Sequence, residues 1–301
     1  MTDGVPDWLA VDWGTSNLRV WAMTGDGRAL GLRTSDRGMG RLAPEQFEEA
    51  LKECAGDWIA GPVTAIACGM VGARQGWIEA PYIAVPAAPL GDRPVRAPTR
   101  TPGLSVHILP GMSQDRPADV MRGEETQIAG FLARSPGWDG VMCLPGSHTK
   151  WVQVSAGEVV SFQTYMTGEL FAALSGHTVL RHSVGGDGWD DAAFAEAVED
   201  ARAAPERLAA RLFPLRAEGL LHGQTAAVAR ARLSGLLIGA ELAAARPYWL
   251  GQRVGLIGEG TLAGRYRAAL EAQGVPVETA DADAVTLAGL AAAWAGIRER
   301  A

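Results

Sequence analysis

Apolar and polar positions divide the chain into short strand-like runs and longer helical ones. Residues 8–11 are an apolar strand that runs into Asp12, Gly14, Thr15 and Ser16, and a second apolar strand, 18–23, follows at once. Together they read as a hairpin with a polar, glycine-containing turn. Residues 29–34 supply a third strand, 44–59 have helical spacing, and 63–68 are a strand. A glycine-rich loop at 69–82 and a proline- and arginine-rich surface excursion at 86–103 lead to a strand at 106–110 and a helix at 119–134. Strands at 141–144 and 151–154 then flank Pro145-Gly146-Ser147-His148-Thr149-Lys150, and 158–165 completes a second hairpin. Strand, glycine–hydroxyl turn and strand thus occur twice, as in a duplicated unit. Residues 168–246 are mostly helical, with the longest helix at 225–245. A strand at 253–257, the turn Gly258-Glu259-Gly260, a helix at 262–273, a strand at 275–278 and a helix at 283–297 follow.

Composition changes this picture little. A chain of 301 residues, 48% of them apolar, is comfortable as two globular domains. The boundaries fall at 1–135 and 136–301, with the closing helix, 283–301, able to pack back on the first domain. A net charge of −7 argues against nucleic acid or an anionic membrane as partner, yet leaves a small anionic substrate open. No apolar run has membrane-spanning length, and none reads as a signal peptide. Cys54, Cys68 and Cys143 are scattered, as expected of reduced thiols in a cytoplasmic protein, and the histidines are not at zinc-ligand spacing from them.

The chemistry gathers at the turns. Gly14 lets the backbone approach a ligand, and successive N–H groups with the hydroxyls of Thr15 and Ser16 form an anion nest. Asp12 would repel a bare phosphate unless a cation, such as Mg²⁺ held through water, stood between them. An ordinary hairpin accounts for the same residues. Asp12-Trp13-Gly14-Thr15-Ser16-Asn17-Leu18-Arg19 nevertheless resembles the first phosphate motif of the actin, hexokinase and sugar-kinase superfamily, which Arg19 would close. On that resemblance the second turn, with Gly146, Ser147, His148 and Lys150, grips phosphates from the other domain. Lys150 also fits a solvated strand-end lysine. The order of three strands, a helix and a strand fits a ribonuclease-H-like half domain, which that superfamily uses twice.

Phosphoryl transfer needs a carboxylate near the accepting hydroxyl. Glu124 and Glu125 follow Gly123 at a helix start, where acids also stabilise the helix dipole and nothing more. Superfamily members carry a catalytic acid there. Aligning on the glycine points to Glu124, and aligning on the threonine points to Glu125. Late in the chain Gly258 and Gly260 match the turn that takes adenosine. The same run, with Gly264 and Asp281, also fits a dinucleotide fingerprint and a dehydrogenase. Only a closing helix follows Asp281, which leaves such a fold without its remaining strands.

Over nearly its full length the chain resembles the 2-keto-3-deoxygalactonate kinases (2-dehydro-3-deoxygalactonokinases). The segments that carry this are 12–19, Gly69-Met70 with Arg74-Gln75-Gly76-Trp77, 121–127, 144–151, 164–171 and 233–239. The resemblance implies an α/β protein of two ribonuclease-H-like (actin-like ATPase) domains with a cleft between them. The first domain takes the sugar acid and the second the nucleotide. It implies ATP and Mg²⁺, and transfer to the C6 hydroxyl of 2-dehydro-3-deoxy-D-galactonate in galactonate catabolism. A homodimer is compatible with it, and the sequence does not fix one. For the substrate carboxylate, Arg37 and Arg74 are the guanidinium candidates. Gly69, Met70 and Gln75 would line the sugar, and Trp77 would stack on it. Arg37 also fits an ordinary exposed arginine, and the loop fits a structural one with a packed Trp77. Two departures stand out. Glu replaces the usual Asp at 124, and Leu144 stands where many superfamily members have Asp, which leaves the metal to Asp12 and the nucleotide. A nucleotide-binding protein of actin type that transfers no phosphate remains the other alternative.

Overall fold

Residues Trp8–Trp13 (β1) form the middle of a six-stranded sheet and are buried throughout except at Asp12. The computed structural model describes residues 4–91, 93–258 and 260–299. Strands β2 (Leu18–Met23) and β3 (Ala29–Ser35) extend the sheet antiparallel on one side of β1. Helix α1 (Phe47–Ala55) then crosses to β4 (Val63–Gly69), which lies parallel to β1 on the other side. Successive β1 side chains point to opposite faces. Leu9, Val11 and Trp13 meet Phe47 and Leu51 of α1, whereas Trp8 and Ala10 belong to a second apolar cluster on the reverse face.

The proline-rich stretch holds more pairing than a surface excursion implies. Short strands β5 (Tyr82–Ala84), β6 (Val95–Arg96), β7 (Leu104–Ile108), β8 (Gly111–Gln114) and β9 (Asp119–Met121) follow one another. Strand β7 joins β4 in parallel and β6 pairs with β7, giving the order β3-β2-β1-β4-β7-β6. Strands β5, β8 and β9 make a separate three-stranded sheet. The helix expected from residue 119 begins only at Glu124 (α2, Glu124–Arg134). Residues 119–121 pair with β8 instead, and Gly123 has φ +108°, which no α-helix accommodates.

A second sheet of five strands repeats the arrangement, with β10 (Gly140–Leu144) at its centre. Strands β11 (Thr149–Ser155) and β12 (Glu158–Tyr165) are joined by Ala156-Gly157, a connection short enough only for antiparallel neighbours. Helices α3 (Thr167–His177), α4 (Asp191–Ala203), α5 (Leu208–Leu212), α6 (Pro214–Leu221), α7 (Ala226–Ala244) and α8 (Arg246–Trp249) come next. Strand β13 (Val254–Ile257), helix α9 (Gly260–Glu271) and strand β14 (Val277–Ala280) complete the sheet in the order β12-β11-β10-β13-β14, with β13 parallel to both β10 and β14. Val141, Cys143 and Trp151 pack on α7 and α9 through Ile238, Leu242, Tyr266 and Leu270.

Helix α10 (Ala282–Arg298) closes the chain and lies against the first sheet. Leu290 and Ala293 fill the cluster with Trp8 and Ala10, and the ring of Trp294 stacks on Trp8 at 5.2 Å. The chain therefore divides into two units: residues up to 139 with 154–161 and 281 onward, and residues 140–153 with 162–280. Both sheets share the ribonuclease-H-like order of a three-strand antiparallel start with parallel strands added beside the first. A dinucleotide fold has no place in this topology: the sheet ends at β14, and Asp281 caps α10 by accepting from the Ala284 amide at 2.7 Å. Among the described residues no helix is long and apolar enough to cross a membrane.

Candidate active site

In the first unit the polar turn after β1 is tightly held. The Gly14 N–H donates to Asn17 O at 2.9 Å, and the carbonyls of Gly14 and Thr15 accept from Met39 and Gly40. Gly38 presses on the turn so closely that a Cβ there would lie 2.3 Å from the Ser16 carbonyl carbon. Thr15, Ser16 and Asn17 are left exposed at the tip. Asp12 and Arg19 face each other across the hairpin, with Arg19 Nε 3.1 Å and Nη2 2.5 Å from Asp12 Oδ2. The second guanidinium arm of Arg19 bonds Asp283 of α10. Burial works against the Arg19 charge, but the two carboxylates outweigh it and raise its pKa.

The proposed base lies at the same end of the sheet. Gly69, the last residue of β4, has φ +87°, and a Cβ there would stand 2.7 Å from Trp13 O and 3.4 Å from Asp12 Oδ1. Gly123 packs on Gly69 in turn, with its own would-be Cβ 3.4 Å from the Gly69 Cα. The glycines thereby bring the start of α2 beside Asp12. Glu125 is 1% exposed and curls back to accept the Gly123 N–H on both oxygens, at 2.9 and 2.7 Å. Burial, reinforced by the charge of Glu124, pushes its pKa up to about 8. Glu124 is half-buried and accepts the Arg122 N–H at 3.1 Å. The Cys68 thiol lies 3.7 Å from Asp12 Oδ1, and burial with the carboxylates of Asp12 and Glu125 pushes its pKa well up.

The loop after β4 separates into core and surface. Trp77 was expected to stack on a sugar, but its ring is buried, 6.2 Å from Phe47 and stacked on it, with Trp13 at its edge. A ring so covered serves the core. Met70 opens a short helical turn that Gly76 folds back upon, since a Cβ on Gly76 would meet Val71 O at 2.2 Å. Arg74 and Gln75 are exposed, and the Arg74 side chain is 81% accessible with Glu79 3.6 Å away. Arg37 is paired with Glu53.

The second unit carries the other turn. Gly168, near the start of α3, closes on it: a Cβ there would lie 2.3 Å from Gly146 O, and Glu169 N donates to Ser147 O at 3.0 Å. His148 bonds Glu169 at 2.5 Å. Lys150 was expected to offer its charge to phosphate; it is 5% exposed, with Nζ donating to Thr164 at 2.8 Å. The alternation of β11 explains this. Thr149 and Trp151 face α7 and α9, so Lys150 falls on the opposite face of the strand. Gly258 stands beside the turn, its would-be Cβ 3.8 Å from the Pro145 ring, and Gly260 opens α9. Glu259 lies outside the described residues.

Gly146 and Ser147 open onto a cavity of about 260 Å³ walled by Thr167, Gly168 and Phe171 from α3, Ser234, Leu237 and Ile238 from α7, and Leu262, Arg265 and Tyr266 from α9. Its floor is tied by Glu241, a buried carboxylate that accepts from Trp151 Nε1 at 2.8 Å, Tyr266 OH at 2.7 Å and the Thr167 hydroxyl. Burial raises the Glu241 pKa. Arg265 is a wall residue that no sequence motif singled out. The only hint was its helical spacing from Leu262, which puts both on one face of α9. Among the described residues no three metal-ligating side chains converge.

A family model described as 2-keto-3-deoxy-galactonokinase matches residues 12–293. A Rhizobium meliloti protein bearing the name 2-dehydro-3-deoxygalactonokinase is 44% identical over 295 residues, 95% of this chain and 96% of that one. An Escherichia coli protein of the same name is 36% identical over 293 residues, 94% of this chain and 96% of its own. A crystal structure of a protein so named from Sinorhizobium meliloti superposes with a TM-score of 0.91 at 43% identity, covering 96% of this chain and 99% of that one.

Proposed function

The chain belongs to the 2-keto-3-deoxy-galactonokinase family, and from this premise we propose that it transfers the γ-phosphoryl group of ATP to the C6 hydroxyl of 2-dehydro-3-deoxy-D-galactonate, in galactonate breakdown. The observation that carries this is the start of α2. Two closely packed glycines set Glu124 at the end of the sheet that bears Asp12 and Arg19.

Transfer to an alcohol asks the protein to position phosphate and hydroxyl and to accept one proton. Glu124 is the base: half-buried and at a helix start, it takes the C6 hydroxyl proton as that oxygen bonds the γ-phosphorus and the bond to ADP breaks. Burial pushes the Glu125 pKa up to about 8, which favours its protonated form at neutral pH and makes it the poorer acceptor. Arg74, exposed in its loop, is the partner for the substrate carboxylate, with Gln75 for a hydroxyl. The second unit takes ATP, its phosphates at Gly146 and Ser147 and its nucleoside in the adjoining cavity.

A lone carboxylate suits Mg²⁺ that arrives with a nucleotide and keeps most of its water. Asp12 fits that description, with Arg19 on one oxygen and only the weak Cys68 thiol donor near the other, which can also accept from a metal-bound water. The metal would neutralise charge on the β- and γ-phosphates. We place the enzyme in the cytoplasm, in keeping with ATP as donor and with the free thiols of Cys54, Cys68 and Cys143.

A coupled ADP-release assay over a panel of keto-deoxy sugar acids, including the C4 epimer, tests the proposal. Turnover highest with the galactonate-derived acid, giving a C6 phosphate, is the expected result. Intact ATP binding without turnover of any acid would leave a nucleotide-binding protein that transfers nothing.

A further inference from the structure

Arg265 lines the second-unit cavity in an unusual setting. Its guanidinium carbon stands 3.3 Å over the ring of Trp189, and the indole N–H of Trp189 is fixed on Asp191 at 2.9 Å. Arg265 lines the cavity while the indole it stacks on is not among the lining residues, so the arginine stands between that ring and the space. Its Nε is buried without a hydrogen-bond partner. Burial and then the nearby Arg230 lower its pKa, with Asp191 opposing. Arg230 itself stands 5.1 Å over Phe171, which forms another part of the wall.

A guanidinium is flat, delocalised and weakly hydrated, and it stacks on π systems with either face. Here one face is taken by an indole, and the side chain lines a cavity whose walls are mainly apolar, with Leu237, Ile238 and Leu262 around it. A flat ring system fits that space better than a cluster of phosphate oxygens, which would want the hydroxyls and amides of the Gly146 turn instead. The cavity volume of about 260 Å³ accommodates a bicyclic base.

We propose that Arg265 is a specificity-determining residue: backed by Trp189, its guanidinium is the platform on which the purine base of the phosphoryl donor stacks. This rests on the reading that the second unit holds the nucleotide. Trp189 and Asp191 are positioning residues that hold the plane of the guanidinium in place. A purine presents more ring area to the platform than a pyrimidine, so removing the platform harms purine binding more.

Calorimetric Kd values for ATP and UTP, measured on wild type, Arg265→Ala, Arg265→Lys, Trp189→Ala and Trp189→Phe, test this. Within each variant the ratio of the two constants cancels any loss of folded protein. Wild type should prefer ATP, and Arg265→Ala should cut that preference about fivefold, the worth of roughly 1 kcal/mol of stacking. Arg265→Lys, which keeps the charge and loses the plane, should behave like Arg265→Ala. Trp189→Ala should follow in part, and Trp189→Phe should stay near wild type. Equal losses for ATP and UTP in Arg265→Ala would assign the arginine to the phosphates and overturn the proposal, as would an unchanged preference in Arg265→Lys. A wild-type protein that binds neither nucleotide would instead overturn the underlying reading.

Discussion

Gly130 of α2 and Gly289 of α10 face each other with no room for a methyl group between the helices: a Cβ on Gly130 would lie 2.6 Å from the Gly289 nitrogen and 1.8 Å from Val285 O. A Cβ on Gly289 would lie 2.0 Å from Thr126 O. Backbone cannot yield as a flexible side chain does. Gly289→Ala should therefore lower stability by about 2–3 kcal/mol through overpacking. It should also depress turnover, because α2 carries Glu124. Gly264 of α9 has nothing within 4 Å of its would-be Cβ. Gly264→Ala should raise stability by roughly 0.5–1 kcal/mol, as an ordinary helix position would. Urea unfolding midpoints measure both.

The two adjacent carboxyls at the start of α2 should separate cleanly in activity. Glu124→Gln should retain ATP binding and lose turnover by about 10²–10⁴-fold. Glu125→Gln replaces a carboxyl whose burial favours the neutral form with a near-isosteric amide, so most of the activity should remain. Single-turnover phosphoryl transfer in the two variants decides the matter, and the reverse pattern would move the base to Glu125.

Glu125 also makes stability depend on pH. Its pKa in the folded protein, about 8, lies above the ordinary 4.5, so between these values the native state holds a proton that the unfolded chain has released. The contribution is full below the ordinary value, shrinks as pH rises, and is lost above the folded one. Over the window this amounts to a few kcal/mol, on the order of 1.4 kcal/mol for each pH unit. Unfolding midpoints measured at the two ends of the window should fall towards the alkaline end. Glu125→Gln should flatten that slope.

Glu241 joins β11, α3 and α9 through three donors, from Trp151, Thr167 and Tyr266. Glu241→Ala leaves the Trp151 and Thr167 donors buried and unpaired and the Tyr266 hydroxyl with Thr149 alone, which should cost about 3–5 kcal/mol. Glu241→Gln keeps one acceptor oxygen and turns the other into a donor, so its loss should be smaller. Because Thr167 and Tyr266 line the cavity, both variants should also weaken ATP binding. Thermal melting paired with nucleotide titration reads the two effects together.

The hairpins after residues 8 and 141 were legible because a mostly apolar run stands on each side of a polar glycine–hydroxyl turn. The family followed from ordered motifs around those turns. Period and propensity could not say on which face of β11 Lys150 would fall, since a one-residue shift reverses every side chain. Nor could they show that Trp77 is buried against Phe47, because that contact joins residues thirty positions apart. The strand at 119–121 was hidden by its length, three residues being too few to establish a period. Arg265 escaped because its neighbour Trp189 lies far away in sequence, and stacking across that distance leaves no local pattern.

Helix α10 fills a hydrophobic face of a sheet whose first strand begins at Trp8. A ribosome delivers residues 140–280, which contain the whole second unit, before it delivers that helix. During synthesis Trp8, Ala10, Trp21 and Ile66 must therefore wait with one side bare until the last turns of α10 emerge to cover them. The half of the protein made first is the half finished last, and a nascent chain halted before residue 281 is a natural client for a chaperone that holds exposed apolar strands.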